Sequence, residues 1–230
     1  MKTIGLLGGM SWESSSHYYQ LLNRRIAVEL GGLHSARLVM LSVDFHPLEE
    51  LMRQNNWDEI ANQLAAAALR LEGAGADFLL LCTNTMHTVA DSILQAITIP
   101  FIHIADVTAE RICAAGLQCV GLLGTRFTME QSFYTDRLSS FGLRVIVPEE
   151  KERHRIDDII FRELCRGEIN KSSRESYLET IVNLKNSGAE GIILGCTEIG
   201  MLISQSDSPL PLFDTTHIHV DAAVHHAINR

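Results

Sequence analysis

The chain has 230 residues, enough for one large α/β domain or two small lobes, and either would bury a substantial core. With 46% hydrophobic and 20% charged residues it has the composition of an ordinary globular protein, which excludes a disordered or fibrous chain. Its 28 acidic and 19 basic side chains leave a formal net charge of −9, which argues against a general binder of nucleic acid or anionic membrane and confines any cationic site to a local pocket.

Lys2 precedes a short apolar run, Ile4 to Leu7, that ends in Gly-Gly-Met-Ser-Trp-Glu without a small-residue cleavage pattern, so no signal peptide is expected. No apolar run approaches transmembrane length. Strand-like and helix-like segments then alternate. TIGLLG precedes a helical pattern from Glu13 to Leu30, RLVMLSV one from Trp57 to Leu71, and DFLLLC one from Met86 to Ile97. PFIHI is followed by a helix near Ala105 to Ala115, CVGLLG by one near Met129 to Phe141, and LRVIV by two between Asp157 and Asn186. GIILGC, PLPLFD and a closing helix finish the chain, and Gly75, Gly142 and Gly188 sit where helices should stop. This alternation predicts parallel strands joined by helical crossovers. The five cysteines, Cys82, Cys113, Cys119, Cys165 and Cys196, are odd in number and contain no C-x-x-C pair, which suits a reducing cytoplasm better than a disulfide framework.

The sequence also repeats. GADFLLLCTNT (Gly75 to Thr85) aligns without a gap with GAEGIILGCTE (Gly188 to Glu198), at an offset of 113 residues. IGLLGG from Ile4 aligns with VGLLGT from Val120 at an offset of 116. Two similar offsets predict an α/β fold of two pseudo-symmetric lobes, each a parallel sheet flanked by helices. The first lobe is expected over residues 1–115, with 214–230 packing back onto it, and the second over 116–213. Ligands of open α/β sheets bind outside the carboxyl ends of the strands, so the active site is expected in a cleft between the lobes where four turns converge. These are Gly8 to Ser11, Cys82 to Thr85, Gly124 to Thr128 and Cys196 to Glu198. The alignment sets Thr83 opposite Cys196 and Cys82 opposite Gly195.

At these residues the chain resembles the aspartate/glutamate racemase family of cofactor-independent amino-acid racemases, over essentially its whole length. The resemblance is carried by the GLLGGM start, the N-T-x-H run Asn84 to His87, the LLGT turn Leu122 to Thr125 and, most specifically, the G-C-T-E run Gly195 to Glu198. It implies two cysteines flanking the substrate α-carbon, one directly before N-T-x-H and one within G-C-T-E. The second is Cys196. At the first position this chain has Thr83, with Cys82 one step further back, and strand alternation turns adjacent residues to opposite faces.

Racemisation removes the α-proton on one face and returns a proton on the other, which requires two acid/base groups. Cys196 is the expected base, its thiol lowered toward neutrality by a helix N-terminus or a nearby cation. Thr83 is a plausible proton donor and a poor base, so turnover should be kinetically asymmetric, and the resemblance implies L to D as the faster direction. Asn84, Thr85, Thr125 and Thr197 are candidates to stabilise the enolate-like carboxylate with their backbone N–H groups and side chains. Met10 at the first turn is a candidate pocket wall, and Glu198 completes the substrate-binding set. The resemblance further implies cationic residues for the substrate carboxylates, for which Arg53 in LMRQNN and Arg162 in IIFREL are the candidates.

No pyridoxal phosphate or metal is expected. The ten histidines include His217, His219, His225 and His226 close together, but an i, i+2 pair diverges on a helix and no ligand spacing accompanies it. Cys82, Cys113, Cys119 and Cys165 are expected as small packing residues, and His87 either orients the site or covers a helix start. The expected partner is a small-molecule amino acid, probed first with aspartate and glutamate, with neither nucleic acid nor membrane; a homodimer is the assembly to test for. Two competing readings stay open: another enzyme of the superfamily, such as a hydantoin racemase, decarboxylase or maleate isomerase, and a non-catalytic dicarboxylate-binding sensor.

Overall fold

A computed structural model describes residues 1–229, which divide into two compact units, 1–103 with 219–229, and 104–218. Unit 1 opens with β1 (Ile4–Gly8), α1 (Trp12–Leu30), β2 (Leu38–Ser42), α2 (Phe45–Arg53), α3 (Trp57–Gly73) and β3 (Phe78–Leu81). A 3-10 turn over Thr85–Val89 and α4 (Ala90–Ala96) follow. Its sheet is parallel in the order β2-β1-β3, extended by a single parallel bridge from Leu79 to Phe101, so PFIHI makes a bridge where a strand was expected.

Unit 2 contains α5 (Ile104–Ala114), β4 (Cys119–Gly124), α6 (Arg126–Glu130), α7 (Ser132–Ser140), β5 (Arg144–Ile146), α8 (Glu150–Arg162) and α9 (Lys171–Asn186). It continues with β6 (Gly191–Gly195), α10 (Ile199–Leu202) and β7 (Leu212–Asp214), and the chain closes with α11 (Thr215–Ile228). Its sheet is parallel in the order β5-β4-β6-β7. β1, β3, β4 and β6 are buried along their whole length, which is why they appear in the sequence as unbroken apolar runs. Among the described residues no helix is long and apolar enough to cross a membrane.

The hydrogen-bond register reproduces both sequence offsets. Ile4 pairs with Phe78 in unit 1 and Val120 with Gly191 in unit 2, so each pair is the other shifted by 116 and 113 positions. The acidic residue shared by GAD and GAE has a physical role in both units. The Asp77 carboxylate accepts the Thr3 N–H at 2.5 Å, and the Glu190 carboxylate accepts those of Gln118 and Cys119 at 2.8 and 2.9 Å. Each acid thus caps the free N–H groups where a central strand begins, and these bonds hold the Glu190 carboxyl below its usual range. The next strands correspond too: Leu79 N–H donates to Pro100 and Ile192 N–H to Pro211, both at 2.8 Å.

Three expectations need correction. The helix after PFIHI falls in unit 2, not in the first lobe, because Ile104, Ala105, Ala109 and Ile112 are buried in the cluster that holds Val120, Ile160 and Ile193. In α11, Ile218 belongs to that same cluster, whereas Val220, Ala223, Val224 and Ala227 join the unit 1 cluster around Ile4, Leu22 and Phe78, so the division falls inside the helix at 218/219 and not at 213/214. α2 was not expected at all. Pro47 suggests a break, yet it lies in the first turn, where its missing N–H has no intrahelical partner to lose, and Asp44 caps the start by accepting the His46 N–H at 3.2 Å.

Candidate active site

In unit 1 two turns are tied together at the carboxyl end of the sheet. After β1 the chain reverses at Gly9, with φ +98°, where an added Cβ would lie 2.2 Å from the Val43 carbonyl oxygen. Ser11 caps α1, accepting the Ser14 N–H at 3.2 Å. The Ser15 hydroxyl accepts from Gly9 N–H at 2.7 Å and donates to the Ser11 carbonyl at 2.9 Å. The Ser14 hydroxyl donates to the Cys82 carbonyl at 2.9 Å, joining this turn to the one after β3. Met10 is buried in the same turn. Ser14 and Ser15 were not singled out from sequence, although three consecutive serines at a helix start are an available signal for capping.

Cys82 extends the β3 ladder by one rung, its N–H donating to the Leu7 carbonyl at 2.9 Å. Its side chain is fully buried in the apolar cluster with Tyr18, Leu22 and Phe78, and burial pushes its thiol well up. Thr83 is also buried, 8% exposed. The Thr83 carbonyl lies 2.7 Å from His87 Nδ1; a carbonyl can only accept, so Nδ1 carries the hydrogen. His87 therefore holds the backbone of Thr83 in place, and its ring packs against His103 at a centroid distance of 4.5 Å. Asn84 and Thr85, both buried, open the 3-10 turn, and the Asn84 side chain does not cap it.

Unit 2 repeats the arrangement. Gly124 and Gly195 share a ladder rung so closely that a Cβ on Gly124 would lie 3.0 Å from the Gly195 carbonyl oxygen. Thr125 caps α6, accepting the Thr128 N–H at 3.3 Å. After β6, the Cys196 thiol donates to Glu198 Oε2 at 3.0 Å and the Thr197 hydroxyl donates to the same oxygen at 2.6 Å. Glu198 is 3% exposed.

The electrostatics of Cys196 run against expectation. Burial, then the negative charge of Glu198 and the proximity of Cys165, push its thiol well above the ordinary range. α10 has only four residues, so its N-terminal dipole offers little compensation, and Glu198 and Cys165, the groups whose charge raises the thiol, are both negative when ionised. Cys165, expected to be a packing residue, is half-buried, and burial followed by Glu198 and Asp157 pushes its thiol up to about 12. Cys119 is buried as expected, whereas Cys113 is exposed. Cys165 and Cys196 both pack against the unit 2 apolar cluster that contains Tyr177, and no linear motif announces Cys165 or Tyr177.

The two arginines stand apart from these buried turns. Arg53 ends α2 with its side chain 77% exposed and paired with Glu49, and Arg162 ends α8 75% exposed and paired with Asp158 at 3.0 Å.

The four late histidines do separate work. His219 is fully buried, its Nε2–H donating to the Ile102 carbonyl at 2.8 Å and its Nδ1 accepting from Tyr18 at 2.9 Å. His226 packs on Phe78 and His225 contacts Asn229, while the backbone N–H of His217 donates to Asp214. Among the described residues, no three His, Cys, Asp or Glu side chains gather to hold a metal ion. Burial lowers the His219 pKa from 6.5 to about 4. The unfolded chain therefore takes up this proton first, so the group's stabilisation is whole above pH 6.5, falls as pH drops to about 4, and is flat below. A difference of this size is worth about 3 kcal/mol. Urea unfolding at pH 7 and pH 4.5 should show a steeper loss for the native protein than for His219→Gln; equal losses would remove this assignment.

Twin parallel sheets of matching register, one followed by a buried hydroxyl-rich turn and the other by a turn in which a thiol is bonded to a carboxylate, define a two-unit α/β protein. Comparison with known proteins narrows this class. The chain belongs to the Asp/Glu/hydantoin racemase family, matched over residues 7–223, and is an isomerase. It is 47% identical to a Yersinia pestis protein described as a candidate Asp/Glu racemase, with a TM-score of 0.93 and full coverage of both chains. An aspartate racemase homologue from Pyrococcus horikoshii OT3 is 33% identical, with a TM-score of 0.86 and full coverage of both. The broad specificity amino-acid racemase RacX of Bacillus subtilis is 25% identical over 159 residues, 69% of this chain and 68% of that protein.

Proposed function

We propose that this isomerase racemises amino acids, aspartate and glutamate first, by cofactor-independent proton transfer in which Cys196 is the base and Thr83 the proton donor. The observation that carries the reading is the Cys196–Glu198 contact in the turn directly after β6, at the position that the repeat aligns with Thr83 after β3. In the ligand-free protein the thiol is protonated. The substrate's ammonium group supplies the missing positive charge, and the thiol proton passes to Glu198, leaving thiolate and carboxylic acid. The thiolate then takes the α-proton, the carboxylate side of the planar carbanion is held by Asn84, Thr85, Thr125 and Thr197, and the Thr83 hydroxyl returns a proton to the other face; Glu198 then gives its proton to water and water reprotonates Thr83, which restores the starting state. Because an alkoxide is far harder to form than a thiolate, the Thr83 face is slow in abstraction, and the L to D direction is the faster one in this reading.

The test is α-proton exchange of L- and D-aspartate and glutamate in deuterated buffer, followed by NMR, before and after dialysis against chelator and treatment with a carbonyl reagent. Exchange that survives both treatments and is lost on thiol alkylation supports the reading. Binding without exchange indicates a dicarboxylate sensor. Assembly as a homodimer belongs to the same reading, supported by the exposed Trp12 and Tyr19 on α1, and sedimentation tests it.

A neutral-substrate reading is favoured by the exposure of Arg53 and Arg162, both already paired with acids on their own helices. Arg53→Ala decides between the two. A charge-assisted contact to a distal carboxylate is worth about 1.5 to 3 kcal/mol, so its loss should raise KM for aspartate and glutamate about 10- to 100-fold while sparing neutral amino acids. An unchanged KM for both classes would favour the neutral-substrate reading.

A further inference from the structure

β7 lies beside β6, and the last rung of their ladder pairs Leu194 with Asp214, so the turn that opens α11 stands next to the turn that carries Cys196. Two contacts join these turns. The Thr215 hydroxyl, fully buried, donates to the Leu194 carbonyl at 2.8 Å, two residues before Cys196. Gly200, two residues beyond Glu198, lies so close to Asp214 that an added Cβ would come within 2.3 Å of its Oδ2 and 3.4 Å of its Cγ. No positive φ calls for glycine at 200, so the demand there is for space. A carboxylate can usually swing aside, but this one is pinned: its Oδ1 accepts the N–H groups of Thr216 at 2.9 Å and His217 at 3.1 Å, capping α11.

We propose that Asp214 is a positioning residue whose pinned carboxylate is the seat of the Cys196–Glu198 turn, with Gly200 the bare backbone that settles on it. α10 has four residues, too few to hold its own shape. Ile199 and Leu202 anchor it in the unit 2 apolar cluster, and Gly200 rests against Asp214. Ile199 N–H donates to the Cys196 carbonyl and Met201 N–H to the Glu198 carbonyl, both at 3.1 Å, so the turn and α10 move as one piece. Displacing Gly200 therefore displaces both the thiol and the carboxylate that takes its proton. This deepens the proposed function and rests on Cys196 acting as the base.

The test is a double-mutant cycle of Gly200→Ala and Asp214→Ser, read as kcat and KM for α-proton exchange and, without turnover, as Cys196 alkylation by iodoacetamide, quantified by mass spectrometry on the peptide containing residue 196. Serine still caps α11 but lacks the second oxygen, so it makes room for the new methyl group. Gly200→Ala should lower kcat about 10- to 100-fold with KM little changed, the scale of an ångström-sized misplacement of a reacting group. Its Cys196 should alkylate about threefold faster or more at pH 8, because the displaced turn loses burial. The double variant should regain kcat to within about threefold of Asp214→Ser alone, and its alkylation rate should fall back with it. Melting temperatures of all three identify any loss of fold, and a double variant that folds where Gly200→Ala does not reports the same contact. Effects that simply multiply, or native kcat and alkylation in a folded Gly200→Ala, would overturn the proposal. Coupled alkylation in a protein that exchanges no α-proton supports the seat and counts against the racemase reading alone; native exchange with uncoupled variants does the reverse.

Discussion

Replacing Cys196 with serine is expected to lower α-proton exchange from aspartate and glutamate by about 10²- to 10⁴-fold, the contribution typical of a positioned acid/base group. The serine hydroxyl can still donate to Glu198 Oε2, the bond the thiol makes at 3.0 Å, so the turn after β6 keeps its internal contact. Surface and half-buried changes of this kind shift stability little, about 0.5 kcal/mol or less where packing is unaltered. What is lost is acidity, since an alcohol does not become a usable base at neutral pH. Exchange measured by NMR in deuterated buffer, beside the circular dichroism spectrum and unfolding midpoint of the variant, separates lost chemistry from lost fold. Exchange at the native rate in folded Cys196→Ser would remove Cys196 from the mechanism.

The second large effect concerns the adjoining residues Cys82 and Thr83. Thr83→Cys should speed proton abstraction from the slow enantiomer by about 10²-fold or more, because it places a second thiol where only a hydroxyl stood. The ratio of initial exchange rates from L- and D-substrate should move toward one. Cys82→Ala should leave that ratio alone, with a cost of about 1 kcal/mol from the lost packing of a fully buried side chain. Both variants still carry each substrate to equal amounts of the enantiomers, since a catalyst changes rates only. Loss of exchange in Cys82→Ala with Thr83→Ala unharmed would instead make the buried thiol the working group.

Much of the fold was legible because the buried strands of a parallel sheet are unbroken apolar runs and the two units share one register. The GAD and GAE acids aligned at an offset of 113 residues, and Asp77 and Glu190 turn out to cap the starts of equivalent central strands. α2 is only nine residues long, and its Pro47 fits because it falls in the first turn after the Asp44 cap, a position fixed by the structure. The expected activation of Cys196 failed for a different reason. A motif names the neighbours of a thiol along the chain, whereas its ionisation depends on everything packed around it, and here that is burial, Glu198 and Cys165.

By itself the sequence determined the α/β alternation, the repeat, and the two polar turns that hold Thr83 and Cys196, since each depends on residues adjacent in the chain or on a pattern repeated at fixed spacing. Only the tertiary structure decided which side chains stand outside the motifs yet bear on them. It packed Cys165 and Cys196 against one apolar cluster, buried Cys82 among Tyr18, Leu22 and Phe78, and left Arg53 and Arg162 exposed on their helix ends. It also placed α5 in the core of unit 2 and the later turns of α11 in that of unit 1, against the boundaries suggested by the repeat. The physical reason is common to all of these: burial and charge act through space, and a linear pattern fixes spacing along the chain without fixing what packs beside it.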